Sequence, residues 1–477
     1  MLKKRMLLIF MCVALVITMC SCGKKNETAS GSETVLTWYL RGSEPQNAEA
    51  VFAKANEYTK EKIGVTVDYK FVEPAGYEQK MNLLMSSGEE FDICWTSDWC
   101  NNYSGNAKSG AFVALDDYLD EYSDLKNSMP ENVWELSKVD GKIYGIFCNQ
   151  VWALPDGWWF NKEIADKHNI DLSKVDDMGD LTEIFEIIKE REPNMVPAHY
   201  GDALLAHNSM MERGEIIENF YVDPVTYEVK DYCRVSDEMM PYYELMREWY
   251  NKGFFPANIA TASDADITLA KTGKLFSGYS GCKPGGETEL KELYGFDVEV
   301  VELASPKKLV SLQSTMNAIS STSKNVEKSL EFLQLVNTDK TLYNLLIFGI
   351  EGEDYKKIDE NTIEKIDGGY QTDAWMIGNQ FNAYVTKGQE PDVWEQTIAI
   401  NNAAEVSEFA GFQFDNSAVK VMMAQVSAVA SEYDPILKNG LADPEEKIKE
   451  YKHKLKQAGI DDIKSELQRQ LNAWKNK

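Results

Sequence analysis

The chain has four histidines, His168, His199, His207 and His453, and their spacing already limits their chemistry. None belongs to an HExxH motif or to an i, i+4 pair, the arrangement that sets two imidazoles of one helix on a zinc ion. No GxxxxGK[ST] stretch is present, so nucleotide hydrolysis by a P-loop is excluded. Ser277–Gly281, SGYSG, superficially suggests a nucleophile elbow, but GxSxG would require glycine where Cys282 stands. Glycoside hydrolysis needs only two carboxylates ~5 to 10 Å apart. With 77 acidic residues such a pair is not excluded, yet nothing in the sequence singles one out. No catalytic residue, metal or cofactor is therefore assigned. What remains is aromatic: VWALPDGWWFNKE, Val151–Glu163, places Trp152, Trp158, Trp159 and Phe160 within nine residues. Rings so crowded either fill a core or face something that the protein holds.

The elements that must position these groups begin after a leader. Lys3, Lys4 and Arg5 precede an apolar run from Met6 to Met19 and small residues around Cys20 and Cys22, the pattern of a bacterial export signal. Fourteen apolar residues fall short of the ~20 that a spanning helix needs. Met19-Cys20-Ser21-Cys22-Gly23 resembles a lipobox, with Ser21 favouring Cys22 over Cys20 as the lipidated residue; a simple secreted protein is the alternative. Residues 1–21 form the signal and 22–33, rich in Ser, Thr and Gly, a flexible tether. Losing residues 1–21 takes the formal net charge from −28 to −31, a surface that repels nucleic acid and anionic lipid. The remaining cysteines, Cys94, Cys100, Cys148, Cys233 and Cys282, are odd in number and lack zinc-like spacing. They read as buried or unpaired thiols, with a Cys94–Cys100 disulfide open.

Strand-like Thr34–Leu40 leads into a helix whose Ala48, Val51, Phe52, Ala55 and Thr59 share one face. Val65, Val67, Tyr69 and Phe71 then alternate with polar residues as in a half-buried strand. Phe91–Ser97 is nearly continuous and apolar, as expected of an inner strand. Ligands of such open α/β sheets sit beyond the carboxyl ends of the strands, which points to Arg41–Glu44 and Thr96–Trp99. Val139–Phe147 reads as a hairpin turning at Asp140-Gly141. Strands are expected at Lys274–Gly281 and Ser314–Ser320, and two helices within Asn325–Phe348. The last third is helical: Asp443-Pro444-Glu445-Glu446 is a helix start, and Ile460, Ile463, Leu467, Leu471 and Trp474 recur at spacings of three and four.

Taken in order, TWYLRGSEP, EKIGVTVDYKFV, FDICWTSDWCNNY, KSGAFVALDDYL, DGKIYGI, WFNKEIADKHNID, STMNAISSTSKN, LYNLLIFGIEGEDY, TDAWMIGNQF, GFQFDNSAVK and AGIDDIKSELQRQLNAW span nearly the whole mature chain. Together they resemble the extracellular solute-binding lipoproteins of bacterial ABC importers, in the sugar-binding superfamily, in a branch with an uncharacterised C-terminal family domain. The resemblance implies an α/β, two-lobed, periplasmic-binding-protein-like flytrap with open mixed sheets covered by helices and a helical C-terminal region. Residues 34–150 with about 305–365 are expected in lobe one, and 151–304 with about 366–477 in lobe two. It further implies capture of a carbohydrate, expected to be an oligosaccharide, between the lobes. Delivery would be to a membrane permease driven by a separate ATPase, from a monomer held by its lipid on the outer face of the cytoplasmic membrane. The alternatives are a surface-anchored glycan-active enzyme, a ligand-sensing lipoprotein, and an importer protein for another solute.

Sugars are recognised by aromatic faces against the ring's C–H side and by planar polar groups that bond hydroxyls. The candidates of this kind are Arg41, Ser43, Glu44, Thr96, Ser97, Asp98, Trp152, Trp158, Tyr279, Lys283, Glu351, Trp375 and Asn379. Trp38 and Trp99 are expected to pack instead. Alternation along a strand keeps Trp159 off the face shared by Trp158 and Phe160. Trp152, cut off from that strand by Pro155-Asp156-Gly157, is the favoured stacking platform. Phe147–Trp152 departs from the family's usual sequence after the GKIYG strand, so relatives' specificity does not transfer directly.

Overall fold

The computed structural model describes residues 34–199, 215–256, 258–259 and 265–475. Cys22, the expected signal and tether, and His207 lie outside them. Two large hydrophobic cores, each built on its own sheet, divide the chain into two lobes.

Lobe one is built on β1 (Thr34–Arg41), β2 (Val65–Val72), β3 (Ile93–Thr96), β4 (Gly145–Phe147) and β12 (Met316–Ile319), in the order β2-β1-β3-β12-β4. β1 runs parallel to β2 and β3, whereas β12 lies antiparallel between β3 and β4. The expected inner strand is buried at all four positions of β3, and Trp38 is fully buried. α1 (Ala48–Ile63) turns Ala48, Val51, Ala55 and Thr59 inward and stops at Gly64, whose φ of 70° favours glycine. α2 (Pro74–Ser87), α6 (Val326–Thr338) and α7 (Lys340–Phe348) complete the lobe. The expected hairpin turn has φ of 48° at Asp140 and 81° at Gly141, the left-handed pair that Asp-Gly supplies.

Lobe two has the order β11-β5-β10-β6, from Val298–Ala304, Asp156–Asn161, Leu275–Gly281 and Val196–Ala198. β5 is central, and all six of its residues are buried. Trp158 and Phe160 enter the large lobe-two core with Trp249 and Phe276, while Trp159 faces the other way, 4.7 Å from the Tyr294 ring. α4 (Met240–Lys252), α5 (Gly286–Tyr294), α9 (Lys420–Lys438), α10 (Pro444–Gln457) and α11 (Ile460–Lys475) belong to this lobe. Asp443 caps α10 by accepting from the Glu446 N–H at 3.2 Å, and α11 buries Ile460, Ile463, Leu467 and Leu471 as its spacing predicts. The C-terminal helices are tied down by a half-buried network: Arg234 Nη1 donates to Asp434 Oδ2 at 2.6 Å, and the Tyr451 hydroxyl to Asp434 Oδ1 at 2.9 Å.

Among the described residues the chain crosses between the cores three times, through residues 148–155, 305–315 and 404–412. Leu309 and Val406 pair in a short parallel bridge where two of these crossings run together. One boundary differs from the sequence reading. Residues 366–403, expected in lobe two, pack on lobe one. Met376 and Ile377 are buried in its core, Tyr370 packs with Ala48 and Val51, and Asn382 and Tyr384 are hydrogen-bonded to α6 and α7. The physical reason lies in the small sheet of β13 (Tyr355–Lys357), β14 (Thr362–Lys365) and β15 (Val385–Thr386), which holds the segment beside α7.

Candidate functional site

The carboxyl ends of β1 and β3 and the start of β12 meet at one rim of lobe one, as the pairing of Met316 with Thr96 requires. An aromatic corner is assembled there. The rings of Trp95 and Trp99 lie 5.2 Å apart, those of Trp95 and Trp375 5.3 Å, and those of Trp99 and Trp375 6.1 Å. Trp95 is fully buried, its indole N–H donating to Thr315 Oγ1 at 2.9 Å, and Thr315 Oγ1 donates in turn to the Trp375 carbonyl at 2.8 Å. Trp99 is fixed by its own N–H on the Ser314 carbonyl at 2.9 Å, yet remains 54% exposed. The Arg41 guanidinium sits 5.1 Å from its ring centre, and Arg41 Nε is buried without a hydrogen-bond partner. Surrounding protein displaces water from the Asp98 and Asp373 carboxyls and raises their pKa values. Backbone N–H groups oppose this at Asp98, and the Trp375 side chain and Arg41 oppose it at Asp373.

Trp375 also walls a chamber of about 660 Å³ between the lobes, within the usual range for small-molecule sites. Gln150, Asp373, Tyr384 and Trp394 come from the lobe-one side, and Lys283 and Glu289 from lobe two. Lys283 Nζ pairs with Glu289 Oε2 at 2.6 Å. Within lobe two the Tyr279 hydroxyl donates to Asp156 Oδ1, and the half-buried Tyr279 ring packs against the lobe-two core. Of the sequence candidates, Arg41, Asp98 and Trp375 thus converge on the lobe-one rim, while Lys283 and Tyr279 belong to lobe two.

The other candidates are used differently. Thr96 Oγ1 donates to the Asn101 carbonyl, and Ser97 Oγ donates to the Cys100 carbonyl at 2.9 Å while accepting from its N–H at 2.8 Å. Both are fully buried, so these hydroxyls shape the turn after β3 instead of facing the cleft. Trp158 is fully buried against Trp249, because β5 is covered on both faces. Asn379 is buried and accepts from the Phe381 N–H, capping a helical turn. Trp152 is half-buried against Phe147, its backbone and indole N–H groups both donating to Asn401, so it pins the hinge and is no free platform. Ser43 donates to Glu73 at the start of α2, Glu44 is exposed before α1, and Glu351 is exposed with Lys357 Nζ 3.7 Å away.

Trp99, expected to pack, keeps 54% of its surface exposed, and the sequence reading did not select the chamber-lining Asp373, Gln150, Tyr384 or Trp394. The strand-end rule did reach Trp99, but its exposure depends on Trp375, far along the chain. Among the described residues no cluster of His, Cys, Asp and Glu could hold a metal ion, and no helix is long and apolar enough to cross a membrane. His168 is paired with Glu192 at 2.7 Å and His453 lies 3.0 Å from Gln457. All five thiols are free, so the Cys94–Cys100 disulfide is not formed.

Residues 41–211 match the bacterial extracellular solute-binding protein family, and residues 408–476 match a domain of unknown function, DUF3502. Over residues 41–211 the chain is similar to bacterial extracellular solute-binding proteins. The chain is 27% identical over 480 residues to a carbohydrate ABC transporter substrate-binding protein of Streptococcus pneumoniae, covering 98% of the present chain and 97% of the relative. The crystal structure of an N-glycan transport solute-binding protein, NgtS, from Streptococcus pneumoniae superposes with a TM-score of 0.81 at 27% identity, covering 92% of this chain and 98% of that one. The same protein in complex with Man5GlcNAc gives 0.71 at 26% identity, covering 93% and 99%. The two-lobed fold of the chain is thus that of solute-binding proteins, and the C-terminal family domain coincides with the helices that close the lobe-two core.

Proposed function

We propose that this protein is the substrate-binding component of an ABC importer and captures a carbohydrate, an oligosaccharide, between its lobes for delivery to a membrane permease. The observation that carries this reading is the aromatic corner. Trp99, more than half exposed, stands beside Trp375 and an Arg41 whose Nε lacks a partner, at the rim where ligands of open sheets sit. Aromatic faces take the C–H side of a sugar ring, and the guanidinium, Asp98 and Asp373 offer planar donors and acceptors to its hydroxyls. Lys283 and Tyr279 would meet the ligand from lobe two as the lobes close. The work is differential binding, with no bond made or broken: the ligand must favour the closed arrangement over the open one. The complex of NgtS with Man5GlcNAc supports a glycan as the first class to test.

The reading includes lipidation at Cys22, a monomer, and a place on the outer face of the cytoplasmic membrane. A thermal-shift screen against mono- and oligosaccharides, with amino acids and peptides as controls, tests it. A ligand held only by the folded state adds about 2.7 kcal/mol of stability at a hundredfold excess over Kd. A broad glycan panel without a shift, alongside a shift from a peptide or amino acid, would overturn the carbohydrate reading. Release of product from incubated glycans would instead mark an enzyme.

A further inference from the structure

Apart from the three crossing segments, the lobes touch at a second place. α5 of lobe two lies against β14, β15 and the start of α8 (Val393–Ala403), all carried by lobe one. Lys365 Nζ in β14 reaches Glu292 Oε2 in α5 at 2.9 Å, and Thr288 Oγ1 donates to the Gly388 carbonyl at 3.0 Å. Each donor and acceptor comes from the chain itself, so the contact needs no ligand atom to complete it.

The fit there is closer than side chains would permit. A Cβ on Gly285 would stand 2.5 Å from Gln389 Nε2 and 3.0 Å from Val393 Cγ2, and Gly285 itself has φ of 73°. Gln389 cannot simply swing aside, because its Oε1 accepts from both the N–H and the hydroxyl of Thr386 at 3.0 Å. Both sides are also anchored in their own lobes. On α5, the Tyr294 ring lies tilted against Trp159 and Glu287 Oε1 accepts from the Val300 N–H at 2.9 Å. On lobe one, the Tyr384 N–H donates to Asn344 Oδ1 at 2.7 Å. The contact therefore joins two elements that are each bonded into their own lobe. It also borders the chamber, since Lys365, Glu292 and Gln389 are among its lining residues.

We propose that the contact of α5 with β14 and Gly388 is a latch that limits lobe opening independently of ligand. Glu292, Lys365, Gly285 and Gly388 then act as positioning residues: they set how often the two faces of the cleft stand close enough to share a ligand. Apparent affinity scales with the population of the binding-competent arrangement, so loosening the latch weakens binding while leaving the aromatic corner intact. The inference rests on the interlobe-cleft reading, but not on the identity of the ligand.

The test uses ligand-free protein. Spin labels at Leu83→Cys in lobe one and Val225→Cys in lobe two, both exposed positions, report the interlobe distance in a Cys282→Ser background. Small-angle scattering of the unlabelled protein gives an independent measure of opening. Glu292→Lys should broaden the distance distribution and raise the open-to-closed ratio roughly two- to fivefold, the range of an exposed ion pair. Glu292→Lys with Lys365→Glu should restore the parent distribution. Gly285→Val should open the lobes further, provided circular dichroism shows the protein folded. The proposal is overturned if Glu292→Lys leaves the distribution of the folded protein unchanged, or if the charge swap opens the lobes as much as the single change. Neither readout depends on a sugar, so failure here is distinct from failure of the carbohydrate reading.

Discussion

Removing the Trp99 ring should weaken ligand binding with little effect on the fold. An aromatic side chain buries roughly 150–250 Å² when fully covered. Trp99 is 54% exposed, so a sugar ring laid on it would remove roughly 80–130 Å² more from water, about 2–3 kcal/mol at ~25 cal/mol per Å². Ordering the ligand and desolvating its hydroxyls offset part of this, leaving about 1–2.5 kcal/mol. Trp99→Ala should therefore raise Kd roughly 5- to 70-fold. In the free protein the substitution loses one exposed hydrogen bond to Ser314, the contact with the nearby Arg41 guanidinium worth about 0.5–1 kcal/mol, and ring contacts with Trp95 and Trp375 worth about 0.5–1.5 kcal/mol each, so the melting temperature should fall by less than for a buried tryptophan. Trp158→Ala is the counterpart. It empties a fully buried site and should cost about 3–5 kcal/mol of stability without removing any ring from the cleft. Isothermal titration with a glycan found in the thermal screen, beside thermal melts of both variants, separates the two effects. A Trp99→Ala protein that binds that glycan with the parent Kd would refute the assignment of this rim.

Gly440→Ala should destabilise the protein by about 2–5 kcal/mol in urea titrations. Its φ is 65°, and a Cβ would stand 2.1 Å from the Met246 carbonyl oxygen of α4, which combines left-handed strain with overpacking. Cys94, Cys148 and Cys233 should resist alkylation in the native state, since burial pushes their thiols up to about 12, 12 and 11. Cys282, half-buried and raised to about 12 by burial and nearby acids, should react slowly. Mass spectrometry should find all five labelled once denaturant is added. The Glu466 carboxyl, held to about 2 by Arg469 and Gln470, should titrate well below the usual ~4.5 in carbon NMR. Because its folded pKa is depressed, it contributes stability that is present above about 4.5 and lost as pH falls through about 2. Glu466→Gln should flatten that part of the acid-unfolding profile.

Local patterns carried the strands and helices well. The alternation of Val65–Phe71, the Asp140-Gly141 turn, the Asp443 cap and the three-and-four spacing of α11 each express forces acting within a few residues, and each stands where its pattern put it. The family resemblance supplied the two lobes. What stayed hidden was side-chain exposure, because that is decided by partners distant in sequence. Trp158 lies in a strand whose two faces are covered by residues much further along the chain, Trp249 on one side and Tyr294 on the other. Trp99 projects because Trp375, Ser314 and Arg41 prop it at the rim. Thr96 and Ser97 sit where a ligand site is expected, but the turn Asp98–Asn101 folds back and takes up both hydroxyls. The placement of 366–403 failed for the same reason: it follows from pairing of β14 with β15, which no short-range pattern announces.

The three crossings have a consequence for how the molecule is made. Neither lobe is contiguous in the chain: the Trp38 indole is bonded to Asn317, 279 residues later, and the Val229 N–H to Gln468, 239 residues later. During synthesis β3 must wait with an open edge until β12 arrives, and the lobe-two core stays unroofed until its last helices are delivered. Open strand edges and distant pairings make such an intermediate slow to fold and prone to aggregate. The lobes are therefore two bodies in the finished molecule but a single unit in its assembly, and a fragment ending before residue 404 would leave lobe two without its roof.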